Sequence, residues 1–253
     1  MGKLQPTRVG KKLLDSVQLT ASSHADVSVF RPLKVGPEAV LQASVEKHIA
    51  KLLPLGEFSW TGSTVPVGAG VPDLLRASVR PEAVSIADAD SISIAILGYL
   101  RAARRARGET IAERLGLSEK TTLNKLDALQ GQGVIEQIQK NFSLAQPWQN
   151  ILDDVSAVEV KVSDWKKAVA QASRNRIFAH RSFVALPEGV AKRVKDELAF
   201  SSLGLGLISI DDNGVSRVVK RARKSSPKAW AYYYTVAARA AGDLRASDNS
   251  VSS

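Results

Sequence analysis

Cysteine is absent from the chain, which removes disulfides, thiolate metal ligands and sulfur nucleophiles together. Histidine is scarce: His24, His48 and His180 stand far apart with no ligand spacing, so a zinc site of the usual kind is not expected. Aromatic residues make up only 6% of the chain, too few for a row of base-stacking platforms on single-stranded nucleic acid. No apolar run reaches the length needed to cross a bilayer, and the first twenty residues hold charges and no sustained apolar core. The expectation is a cytoplasmic protein with no membrane partner. Acidic residues are missing over one stretch in particular, none falling between Asp212 and Asp243.

What the chain does contain is an ordinary globular balance, 44% hydrophobic and 24% charged residues, carrying a formal net charge of +10 over 253 residues. A basic excess of that size favours a polyanionic partner, with nucleic acid ahead of membrane because no basic amphipathic anchor stands out. The length suits one large domain or two modest ones.

Val155 to Trp165 is the most informative stretch. Strand alternation sends Val158, Val160 and Val162 to one side and Glu159 and Lys161 to the other. Trp165, Ala168, Val169 and Ala172 then recur at helical spacing, and Ser182 to Leu186 is a second apolar strand stopped by Pro187. Strand, helix and strand in this order predict a βαβ unit. Glu159 and Lys161 fall near the carboxyl end of its first strand, where such sheets place their chemistry. The plainer reading is a half-buried strand whose outer charges pair across the sheet.

Upstream, residues 1–30 form a basic, flexible lead-in with Lys3, Arg8, Lys11 and Lys12. A helix should start at Pro37 and run to Leu53 with Leu41, Val45, Ile49 and Leu52 on one stripe. Glu57–Trp60 and Thr64–Leu75 read as a hairpin with a glycine-rich corner. Beyond Pro187 come a helix to about Phe200, a strand over 203–210, a turn at Asp212-Asn-Gly214 and a return strand over 215–220. Arg217, Lys220, Arg221, Arg223, Lys224 and Lys228 crowd there, either as a phosphate-contacting edge or as a solvated tail. A final helix over 228–246 and a polar, disordered tail complete the chain.

Between these parts the texture changes. Ile92 to Arg107 predicts a helix closed by Gly108, Thr110 to Leu117 a short helix, and Ser118 caps a helix over 119–130. Gly131 and Gly133 lead into a hairpin over 134–144. This block resembles the winged helix-turn-helix of bacterial transcription regulators. Ala112, Leu115, Leu117, Leu123, Leu126 and Leu129 supply its interlocked core, and Gly116 its turn. The resemblance implies double-stranded DNA as a partner, contacted by Lys120, Thr121, Asn124 and Lys125 on the second helix of the motif and by Lys140 and Asn141 at the wing tip. Arg104, Arg105, Arg221, Arg223 and Lys224 are the further candidates for phosphate contact. The plainer alternative is that these helices only pack or meet another protein.

The order helix, glycine-cornered hairpin, Glu159-Val-Lys161 strand, helix and strand resembles the PD-(D/E)xK nucleases, the restriction-endonuclease-like superfamily. The resemblance implies an α/β fold, a mixed sheet flanked by helices, assembled from 31–85 and 149–222 with the 88–146 winged helix inserted and 223–253 as a basic segment and terminal helix. It implies that Asp73 is the motif's first aspartate, Glu159 its second acid and Lys161 its lysine, with Gln171 on the following helix as a further catalytic residue. Glu46, or otherwise Glu38, corresponds to the helix glutamate of many members. Mg²⁺ would be held by Asp73, Glu159, the Val160 carbonyl and Glu46, a hard-oxygen set of the kind this ion prefers. Because 159 − 73 = 86 positions separate the two acids, their meeting depends on the intervening block being an insertion. Asp153 or Asp154 would be the substitutes. The implied activity is Mg²⁺-dependent cleavage of duplex DNA by a homodimer. The rival is a non-catalytic regulator whose nuclease-like domain dimerises or senses a ligand.

Overall fold

The computed structural model describes residues 25–30, 35–56 and 58–251. The expected basic lead-in lies outside these up to residue 24, as does His24. Its last residues, however, form a strand, β1 (Ala25–Val29). The chain is a mixed α/β fold built on a seven-stranded sheet of order β1-β2-β3-β7-β8-β9-β10. The strands are β2 (Phe58–Ser63), β3 (Leu74–Val79), β7 (Leu152–Val160), β8 (Arg181–Pro187), β9 (Gly206–Ile210) and β10 (Ser216–Lys220). β1 and β2 are parallel, β3 is antiparallel to both neighbours, β7, β8 and β9 run parallel, and β10 returns antiparallel.

Helices cover both faces. Helix α1 (Pro37–Leu52) opens with proline at a position whose N–H no helix bond needs. It sets Val45 and Ile49 against Leu74, Val158, Val160, Phe183, Ala185 and Ile208. The valines that alternate along β7 therefore serve this face, and each fully buried one contributes roughly 1.5–3 kcal/mol. The opposite face is covered by α5 (Trp165–Asn175), α6 (Glu188–Val194) and α7 (Leu198–Leu203), which bury Val184, Leu186 and Leu207. The single helix expected beyond Pro187 is thus two, with Gly204 in the left-handed region ending the second. Helix α8 (Trp230–Val251) lies over Trp60, Leu75, Ala77, Val155 and Ala157. It runs through most of the tail that sequence reading leaves disordered.

Between β3 and β7 stand α2 (Ser91–Ala103), β4 (Arg105–Arg107), α3 (Gly108–Leu115), α4 (Glu119–Gly131), β5 (Ile135–Ile138) and β6 (Asn141–Leu144), the strands forming a second sheet of order β4-β6-β5. Ser118 caps α4 by accepting from the Thr121 N–H, and Gly116 closes α3 at φ 65°. Two expectations fail here. The Arg101–Arg107 run does not stay helical: Arg104 turns to φ 67°, and 105–107 pair with β6 so that Ala106 is buried. Leu123 is not core but 47% exposed, because the inward stripe of α4 is Thr122, Leu126 and Leu129. The unit is held to the rest through α2 and α8, so closely at Gly98 that a Cβ there would lie 2.6 Å from the Ala231 nitrogen.

Candidate active site at the end of the central strands

The pairing of β3 with β7 sets Leu74 opposite Val158, so the next pair outward is Asp73 and Glu159. Cross-strand partners share a face of the sheet, which brings together two acids 86 positions apart in the chain. Asp73 is fixed by the β2–β3 loop. Its carbonyl accepts from Thr64 N at 2.9 Å and from Gln42 Nε2 at 3.0 Å, and inside the loop Val67 N reaches the Gly70 carbonyl at 3.0 Å. Asp73 Oδ2 accepts from the Val160 N–H at 2.7 Å, so the side chain lies across the end of β7.

Glu159 is 2% exposed. Asn175 Nδ2, from the last residue of α5, donates to its Oε1 at 2.7 Å, while Oε2 is buried with no partner among the described residues. Burial first, and the neighbouring Asp73 charge second, push this carboxyl up to about 7. Asp73 is raised as well, again by burial before anything else.

Lys161 sits just beyond β7, its N–H donating to the Ala185 carbonyl at 3.1 Å. Its ammonium reaches the Val160 carbonyl at 2.8 Å, Glu38 Oε2 at 3.4 Å and Asp73 Oδ2 at 3.8 Å. Glu38 is therefore the α1 acid that touches the lysine. Glu46 does not: it accepts from Gln42 Nε2 at 3.0 Å, one residue removed from Asp73, and burial raises its pKa. Gln171 lies one helical turn before Asn175, with its Oε1 buried and unpartnered. Asp153 and Asp154 are engaged elsewhere, the first with Arg80 at 2.8 Å, the second with Arg181 and with Lys224 at 3.3 Å. Neither stands in for Asp73.

The fit to a divalent ion turns on donor chemistry. Among the described residues no group of three His, Asp or Glu side chains could hold a metal. Mg²⁺ does not need one, since it is commonly held by one or two carboxylates and retains several waters. Asp73 and Glu159 supply two hard carboxylates, and the unpartnered Oε2 of Glu159 is a buried acceptor without a donor. These residues fit the ion. The Val160 carbonyl, the third expected ligand, already accepts from Lys161 and would have to share.

The expected DNA contacts divide. Lys120 and Asn124 are exposed on α4, Lys140 at the β5–β6 turn, and Arg104, Arg105, Arg221 and Arg223 on the surface. Thr121 is half-buried with its hydroxyl 2.8 Å from that of Ser118. Two lysines are tied down within the chain. Lys125 binds Asp90 at 2.6 Å, and that ion pair lowers the Asp90 pKa to about 2. Lys224 is held by Asp154 and by the Asp153 carbonyl at 3.1 Å.

Sequence reasoning passes over Asn175 and Gln42, the two amides that hold Glu159 and Asp73. The only available signal for the first is its spacing of four from Gln171, which puts both on one helix face. No family model, curated protein or solved structure matches the chain.

Proposed function

We propose that the chain is a Mg²⁺-dependent nuclease of the PD-(D/E)xK type acting on duplex DNA, with the unit between β3 and β7 serving as a winged helix-turn-helix that grips the substrate. The observation that carries this reading is the meeting of Asp73 and Glu159 beside Lys161 at the carboxyl end of β7. The helix, glycine turn, capped helix and hairpin of the intervening unit support the second half of it. A bound Mg²⁺ would lower the pKa of a coordinated water and offset negative charge on the phosphate. Asp73 and Glu159 would hold the ion. The Lys161 ammonium, now shared between Glu38 and the Val160 carbonyl, would turn to the phosphate oxygens when substrate arrives. Exposed Lys120, Asn124, Lys140, Arg104 and Arg105 would hold the duplex. A pair of copies would cut both strands.

Supercoiled plasmid with Mg²⁺ should be cut by the wild-type protein and not with EDTA. Glu159→Ala and Lys161→Ala should each lower the rate by more than about 100-fold, the scale for losing a preorganised charge. Equal cutting by all three proteins refutes the assignment. A second reading, a regulator that binds DNA without cutting, is favoured by the engagement of Lys161 with Glu38. It would be selected by metal-independent duplex binding that survives Glu159→Ala but not Lys120→Ala.

A further inference from the structure

Asn175 is 4% exposed, and its side-chain amide donates a 2.7 Å hydrogen bond to Glu159 Oε1. Its backbone is fixed separately: the Asn175 carbonyl accepts from Phe178 N at 3.2 Å and Ala179 N at 2.9 Å, in the turn that leads from α5 towards β8. The amide is thus delivered by a hydrogen-bonded turn to a carboxylate whose second oxygen has no partner among the described residues. A carboxylate held at one oxygen loses its freedom to rotate about the last side-chain bond, so the free oxygen is presented in one direction. Gln171 lies one turn earlier on the same face, and its Oε1 is buried with no partner among the described residues.

We infer that Asn175 is a positioning residue for divalent-cation binding: it pins Oε1 of Glu159 so that Oε2 stays available, together with Asp73, to a metal ion. This rests on the Mg²⁺ reading above. Outer partners of metal ligands typically change metal affinity by about 10- to 100-fold when removed. An amide donor is well chosen for the task because it orients the carboxylate without adding a charge that would repel the cation.

The test is calorimetric titration of the metal-stripped full chain with Mg²⁺ alone, in the absence of DNA, for wild type, Asn175→Leu and Asn175→Ser. Leucine keeps the volume and removes the donor, and serine keeps a donor on a shorter arm. Asn175→Leu should melt close to wild type yet bind Mg²⁺ about 10- to 100-fold more weakly, with Asn175→Ser between the two. Should Asn175→Leu fail to fold, Asn175→Ser decides by the same ordering. Wild-type Mg²⁺ affinity in a folded variant overturns the positioning role while leaving the metal site standing. No Mg²⁺ binding by the wild type removes the metal site, and the positioning role with it.

Discussion

Strand β7 carries acids at both ends, and the two ends treat them in opposite ways. At its start, Asp153 and Asp154 meet Arg80, Arg181 and Lys224. The nearby His180 keeps an unprotonated Nδ1 that accepts the Val155 N–H at 3.0 Å, burial pushing its pKa down to about 4. At its finish, Glu159 and Asp73, with Glu38 above them, gather around the single ammonium of Lys161. One end is neutralised by the chain itself and reads as structure. The other is left short of positive charge in a buried place, where an ion or a proton must supply it. A charge deficit in a desolvated site is what separates a chemical centre from a structural ion-pair cluster.

The largest expected effect exploits that deficit. The folded-state pKa of Glu159, about 7, lies above its ordinary value of 4.5, so the folded protein holds this proton more tightly than the unfolded chain. The group's favourable contribution is complete below about pH 4.5 and is lost as pH rises through about 7. In EDTA, Glu159→Gln should therefore gain on the wild type as pH rises, by at most roughly 3 kcal/mol at pH 8. Urea unfolding at pH 5 and pH 8 measures it, and a gap between the two proteins that does not change with pH contradicts the charge deficit. Added Mg²⁺ should close the gap, since the ion favours the ionised acid.

The other end should respond with the reverse sign. Asp154→Asn leaves Arg181 and Lys224 without their shared carboxylate, and should cost about 2 kcal/mol at neutral pH, below the range for fully buried pairs because both cations are partly exposed. It should leave plasmid cutting and Mg²⁺ affinity unchanged. A variant that loses Mg²⁺ binding with little loss of stability would show that the two ends are not separate.

Legibility in the sequence followed the same divide between local and distant causes. The β7–α5–β8 unit was readable because apolar period 2 gives way to period 3.6 at Trp165, a change written in neighbouring residues. Glu159 and Lys161 came with it. Asp73 has no local signature beyond Pro72-Asp73, and only the order of elements suggested it. Asn175 and Gln42 were invisible, since an amide earns its role from a partner many residues away. β1 was hidden by a short Ala-Asp-Val-Ser-Val sequence, and the Arg104–Arg107 stretch misled because arginine and alanine favour helix until a strand partner outweighs that preference. Leu123 misleads because three leucines crowd α4, where a rotation of one residue changes which stripe faces inward.

The smallest effect concerns two lysines on α4 that look equivalent in the sequence. Lys120 is exposed, whereas Lys125 is bound to Asp90, whose other oxygen caps α2 by accepting from Ser93 N at 2.9 Å. Lys125 therefore ties α4 to the start of α2. Lys125→Met should cost under about 1 kcal/mol, the usual worth of a partly exposed pair, and should change duplex affinity little. Lys120→Met should leave stability unchanged but weaken duplex binding and lower the salt slope by about one ion, as expected for a lost phosphate contact. Binding isotherms between 50 and 200 mM salt separate the two (roughly the range over which such contacts are felt). If Lys125 carries the salt dependence and Lys120 does not, the duplex does not lie along the exposed face of α4.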